Sequence, residues 1–142
     1  MTARKLLLFR SGGLVFAVEA GAVLEILPAT SATRIPGAPA AVRGLANVRG
    51  MLVTVVDAAR AIGLAAGPEA AGGSLVLVEL RSRPVALAVD EVLDLVTVED
   101  TALNDGASLP GVRPDLVRAV GAFGGQSFVQ LATDVLLEPL LP

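Results

Sequence analysis

Histidine and cysteine are both absent from this chain. That removes the Ser-His-Asp and Cys-His nucleophile arrangements and the usual zinc, iron–sulfur and haem ligands. Carboxylate chemistry remains to be considered. Asp57 and Asp90 each close an apolar run, Met51 to Val56 and Val85 to Val89. Two such aspartates suggest a hydrolase with duplicated halves, in which neighbouring carboxylates share a site and one pKa is raised by the other. The Asp-Thr/Ser-Gly turn of that chemistry is missing, since Asp57 precedes Ala58-Ala59 and Asp90 precedes Glu91-Val92. Both are therefore predicted to cap strand ends or the turns that follow. Glu79, Arg81 and Arg83 alternate along one segment and read as a solvated stripe on one strand face. No phosphate-binding G-x-x-x-x-G-K-[ST] loop, no G-x-G-x-x-G after a strand and no D-x-D-x-D-G calcium loop occurs, and Lys5 is the only lysine. The expectation is no catalytic residue, no metal, no cofactor and no enzyme.

The composition narrows the partners. The chain has 142 residues, enough for one domain or two very small ones, with 54% hydrophobic residues, 18% charged residues and a net charge of -3. Ten arginines are spread along it without a basic run, so a nucleic-acid partner is not expected. Mean hydropathy is high at +0.71. No interval reaches the roughly 20 apolar residues of a spanning helix, and Leu6 to Phe9 is too short for a signal-peptide core. A soluble cytoplasmic protein without membrane insertion is expected, its surplus hydrophobicity serving buried strands and apolar docking surfaces.

Short strands must position whatever site exists. Leu6 to Phe9 and Leu14 to Val18 flank Arg10-Ser11-Gly12-Gly13; Leu75 to Leu80 and Val85 to Val89 flank Arg81-Ser82-Arg83-Pro84; Val120 to Phe123 and Phe128 to Leu131 flank Gly124-Gly125-Gln126-Ser127. Each reads as a hairpin. Met51 to Val56 is nearly all apolar, as in a strand covered on both faces. Helical signals are short: Ala38 to Arg43, Ala58 to Leu64, and a C-terminal helix from Thr133, with Thr133 as its cap. Ala65 to Gly73 is the expected linker, and Asn104 to Pro114 the other irregular stretch.

A degenerate repeat runs through the chain. Leu14 to Glu19 is answered by Val85 to Asp90, and Val23 to Leu27 by Val92 to Val96, the spacing between the two pairs differing by two residues. Two similar small β-barrels account for this pattern and for the regular turns. The expected division is a first barrel over 14–66 and a second over 74–131. The N-terminal strand 5–10 and the C-terminal helix 133–138 would pack across them.

The segment Arg34 to Asp57 contains Ile35-Pro36-Gly37-Ala38-Pro39, then Val42-Arg43-Gly44, then Asn47-Val48-Arg49-Gly50, then an apolar strand ending in Asp57. It resembles the signature of CheW-like domains: I-P-x-x-P-x-x-(V/I)-x-G, then N-(L/V)-R-G, then an apolar strand and Asp. Val23-Leu24-Glu25-Ile26 is similar to the family's V-x-E-I segment. Val85 to Val96 and Gly121 to Leu137 resemble its second-half strands and closing hairpin, so nearly the whole chain is covered. Two departures stand out: Ala58-Ala59-Arg60 where relatives more often carry Leu-Arg, and Thr54 where proline is common.

The resemblance implies a mainly β fold of two packed, SH3-like, five-stranded barrels with short helices. It also implies a non-enzymatic adaptor between the cytoplasmic tips of chemoreceptors and the CheW-like regulatory domain of a CheA-type histidine kinase. Such an adaptor would be mainly monomeric alone and recruited to membrane-associated receptor arrays. The implied receptor groove is Val23, Glu25, Gly44, Asn47, Arg49 and Val53, with Glu25 and Arg49 as an ion pair. Leu87, Val89, Leu93 and Leu95 are candidates for kinase contact, and equally for filling the second core. Two other roles fit the residues: a stand-alone decoy that binds receptor or kinase without joining them, and a generic small-barrel binder of peptide or nucleic acid.

Overall fold

The computed structural model describes residues 2–64, 73–104 and 112–141. The chain forms β1 (Ala3–Ser11), β2 (Leu14–Glu19), β3 (Val23–Pro28), β4 (Val42–Val48), β5 (Met51–Asp57), α1 (Ala58–Ile62), β6 (Ser74–Leu80), β7 (Arg83–Val89), β8 (Glu91–Glu99), β9 (Val117–Phe123), β10 (Gln126–Leu131) and α2 (Thr133–Leu137). The three predicted hairpins are present, as β1–β2, β6–β7 and β9–β10. A fourth, β4–β5, turns at Arg49-Gly50. Ala38–Ala41 is not helical, and α2 is capped by Ala132 without a side-chain hydrogen bond rather than by Thr133. The expected linker at 65–73 lies outside the described residues save Gly73; of the irregular segment 104–114, Asn104 bridges to Val120, Pro114 opens a one-turn 3-10 helix, and 105–111 lie outside them.

The strands make two five-stranded sheets, in the orders β8-β1-β2-β10-β9 and β3-β6-β7-β5-β4. The division at 14–66 and 74–131 is therefore corrected. One barrel, here the central barrel, runs through β3 to β7. The other, the terminal barrel, takes β1 and β2 from the start of the chain and β8 to β10 from its end. After β2, a one-turn 3-10 helix (Ala20–Ala22) carries the chain into the other sheet, so β3 pairs with β6 rather than with β2. β8 makes the reciprocal crossing onto β1. β1 is a full barrel strand, set between β8 and β2.

Strand alternation explains why these segments read as unbroken apolar runs: both faces are buried. Leu6, Leu8, Val15, Ala17, Val96, Val98 and Phe128 cluster inside the terminal barrel. Ala46, Val48, Val53, Val55, Leu75, Leu77, Ala86 and Ala88 do the same inside the central one. The intervening residues, among them Leu7, Phe9, Phe16, Val76, Val78 and Leu87, join Leu136 and Leu137 of α2 in a third core between the barrels. One face of a sheet can cluster with itself only if the sheet curls, so the first two cores are barrel interiors.

The registers make the repeat exact in number. Glu25 heads a row of neighbours through Leu77, Ala86, Val55 and Gly44. Asp94 heads the matching row through Leu8, Ala17, Gln130 and Ala119. The pairs Leu8/Leu77, Ala17/Ala86 and Glu25/Asp94 are each 69 apart, and Gly44/Ala119 and Val55/Gln130 are each 75 apart. On this offset Gly12-Gly13 matches Arg81-Ser82, and all four turn residues have positive φ. The pairing of Leu14–Glu19 with Val85–Asp90 was thus two residues out of step.

Candidate functional site

The signature segment lies along the line where the central barrel closes. β3 and β4 are the two edges of its sheet. The segment that follows β3 returns to β4 through an isolated bridge, in which the Thr33 N–H donates to the Leu45 carbonyl at 2.7 Å and the Leu45 N–H to the Thr33 carbonyl at 2.8 Å. Gly44 permits this approach. A Cβ there would lie 2.0 Å from the Thr33 carbonyl oxygen, and its φ of +142 disfavours any side chain. Gly44 is buried, so it shapes the seam and offers no surface.

Arg49 and Gly50 form the two-residue β4–β5 turn, with φ of 52 and 85. Asn47 fixes that turn by accepting the Gly50 N–H at 2.9 Å. Held in this way, Arg49 reaches across the seam and its Nη2 donates to Oε1 of Glu25 on β3. Arg49 is 74% exposed along its side chain and Glu25 is half-buried, so the pair adds little to stability and lies open to a partner. Next to the pair in sequence are Leu24 and Ile26 of β3 and Met51 and Leu52 of β5, all exposed, with Leu52 at 69%. Exposed apolar side chains around a preformed ion pair are suited to protein contact.

Two of the expected groove residues are placed elsewhere. Val53 is 1% exposed inside the central barrel. Val23 is half-buried against the core between the barrels. The kinase candidates divide as well. Leu87 and Val89 are buried in that same core and have no free surface, a correction to their expected role. Leu93 packs partly against the terminal barrel's interior, and only Leu95, at 57%, is well exposed. Leu24, Ile26, Met51 and Leu52 were not among the expected site residues. Their signal was an apolar residue on both sides of a motif position.

The aspartates serve structure. Asp57 is buried; its Oδ2 accepts from Arg43 Nε at 3.2 Å and Nη2 at 2.9 Å, and its Oδ1 caps α1 by accepting the Arg60 N–H at 3.2 Å. Asp90 accepts the Gly12 N–H at 3.1 Å and ties the β7–β8 crossing to the β1–β2 turn. No group of three metal-ligating side chains occurs among the described residues, and no helix there is long and apolar enough to cross a membrane. Phe9, Phe16 and Phe128 are core residues, which leaves Phe123 as the one exposed aromatic and no stacking platform for bases. A recess of about 670 Å³ opens in the terminal barrel near Gly121, Ala122 and Ser127. The central barrel carries larger side chains at the matching positions, Ala46, Asn47 and Leu52.

Two interleaved small barrels with an ion-paired, apolar-rimmed seam define a class of β-barrel interaction proteins. The chain belongs to the CheW-like domain family, whose pattern matches residues 5–138. It is 36% identical over 116 residues to the chemotaxis protein CheW of Rhizobium meliloti (strain 1021), covering 82% of this chain and 73% of that protein. It is 34% identical over 87 residues to the protein PilI of Pseudomonas aeruginosa, covering 61% of this chain and 49% of that one. Its fold is that of the scaffolding protein TtCheW from Thermoanaerobacter tengcongensis, with a TM-score of 0.87 at 18% identity over 96% of this chain and 94% of that one.

Proposed function

We propose that this chain is a cytoplasmic adaptor that couples chemoreceptors to a CheA-type histidine kinase in a membrane-associated signalling array. The Glu25–Arg49 pair carries the reading, because it is held in place by the turn and the seam yet remains exposed among apolar side chains. The receptor tip, a helical hairpin, would lay an apolar stripe against Leu24, Ile26 and Leu52 and direct its polar groups to Asn47, Glu25 and Arg49. Family membership supports the choice of partners. A monomer with two contact regions holds its partners at high effective concentration and makes or breaks no bond itself.

Co-sedimentation with membranes bearing the cognate receptors and kinase tests this. The unaltered chain should pellet with receptor-bearing membranes, and Arg49→Glu, which places two acids together at the seam, should not. An unaltered chain that binds neither receptor nor kinase would exclude the adaptor role. Binding to one partner that never recruits the other would indicate a decoy.

A further inference from the structure

The two barrels differ at matching points of their seams. In the central barrel Glu25 is neutralised by Arg49. The terminal barrel keeps the carboxylate as Asp94, but Gly124 stands where the register requires the counterpart of Arg49. Asp94 is exposed; its Oδ1 accepts the N–H of its neighbour Leu95 at 2.8 Å, and it has no ion pair among the described residues. Leu95 matches Ile26 and is 57% exposed, although it lies opposite buried Leu7 on β1. The terminal seam thus presents an uncompensated negative charge beside an open apolar side chain.

We propose that Asp94 and Leu95 are a docking point for the kinase, at which an arginine of the kinase supplies the guanidinium that this seam lacks. The proposal rests on the adaptor reading above, which assigns the central seam to the receptor and requires a second surface for the second partner. The adaptor reading makes the kinase the occupant, and charge complementarity sets what the kinase brings. A carboxylate whose counterpart is paired within the chain is here left open to pair between chains, and a forked guanidinium fits it better than an ammonium. Leu95 adds apolar contact along the arginine stem. The expected occupant is a kinase surface with an exposed arginine next to an apolar residue.

The test titrates the purified kinase into the full-length chain and, separately, sediments the chain with receptor-bearing membranes. Asp94→Asn should weaken kinase binding by about tenfold or more, the loss of one charge-assisted hydrogen bond, and leave receptor sedimentation unchanged. Gly124→Arg should supply the missing cation within the chain and weaken kinase binding to a similar degree. The site tolerates it: nothing lies within 4 Å of a Cβ at Gly124, and its φ of +58 is close to the 52 that Arg49 adopts. Gly124→Asn, which fills the same turn position without a charge and tolerates the positive φ, should leave kinase binding unchanged. Unchanged kinase affinity in Asp94→Asn, a loss in Gly124→Asn equal to that in Gly124→Arg, or a loss confined to the receptor arm would each overturn the proposal. An unaltered chain that binds neither partner overturns the adaptor reading itself, which separates the two failures.

Discussion

The two barrels share topology, turns and register, yet they are sealed by different means. The central barrel closes on glycine, with Gly44 under the Thr33 carbonyl, and its interior is wholly apolar. The terminal barrel closes through the Asn104–Val120 bridge, with Ala119 in place of Gly44. Its interior ends in a polar network: Gln130, 0% exposed, accepts from Arg4 at 3.1 Å and donates to Glu19 at 3.4 Å, where the central barrel has Val55. Arg43 and Arg118 also match, but Arg43 is paired with buried Asp57, while Arg118 lies 3.5 Å from Asp134, exposed and two residues further on. A duplicated architecture can therefore keep its turns and pairings while its charges move, and charge placement is where two equivalent surfaces can come to prefer different partners.

The sharpest break of the comparison is Gly44→Ala. The new methyl would collide with the bridge carbonyl at an unfavourable φ, and urea unfolding should show a loss of about 3 kcal/mol or more. Ala119→Gly, which gives the terminal barrel the central barrel's residue, should cost only about 1 kcal/mol. Next in size is Asp57→Ala. It leaves Arg43 without its carboxylate in a half-buried position and removes the α1 cap, so about 3 kcal/mol should be lost in the same measurement. The corresponding position is already Ala132, whose N–H still donates to the Leu116 carbonyl at 2.8 Å, as Asp57's does to Ala41 at 2.7 Å. Exchanging the interior residues should be unequal as well. Val55→Gln places an amide in an apolar barrel with no partner, a loss of about 2 kcal/mol, whereas Gln130→Val should cost about half that because Arg4 keeps Asp100 at 2.8 Å. Equal losses from the two exchanges would mean that the terminal network does not satisfy Gln130 as its geometry indicates.

Much of this was legible in the sequence for physical reasons. β-type runs marked the three hairpins, with turn glycines at two of them, and the likeness of Val23–Leu27 to Val92–Val96 marked the repeat. The strand exchange was not legible for the same reason: the likeness of β3 and β8 gives no sign of which barrel each one completes. The two-residue slip arose because Leu14–Glu19 and Val85–Asp90 both end five apolar residues with an acid, whereas register is set by the turns, one of them Gly12-Gly13 and the other the non-glycine Arg81-Ser82. Leu87 and Val89 read equally as kinase contact or as core, because a strand buried on both faces has no polar alternation to say which side is which. The Glu25–Arg49 pair could be read only through the motif, since 24 residues separate its members and nothing in their local pattern joins them.

The smallest effect on stability is the most informative about function. Arg49→Gly converts the central turn to the Gly-Gly type of the terminal one. It removes an exposed ion pair worth under about 1 kcal/mol and relieves a non-glycine residue at a φ of 52, a relief of similar size. The two should nearly cancel, so the unfolding midpoint in urea should stay close to that of the unaltered chain. Receptor-dependent sedimentation should nonetheless be lost, because Glu25 would then face the partner without its cation, as Asp94 does on the other barrel. If sedimentation survives while stability is unchanged, the pair is dispensable and the apolar rim of Leu24, Ile26 and Leu52 carries the contact alone. If stability falls by several kcal/mol, Arg49 is part of what closes the barrel, and the two seams differ in strength as well as in charge.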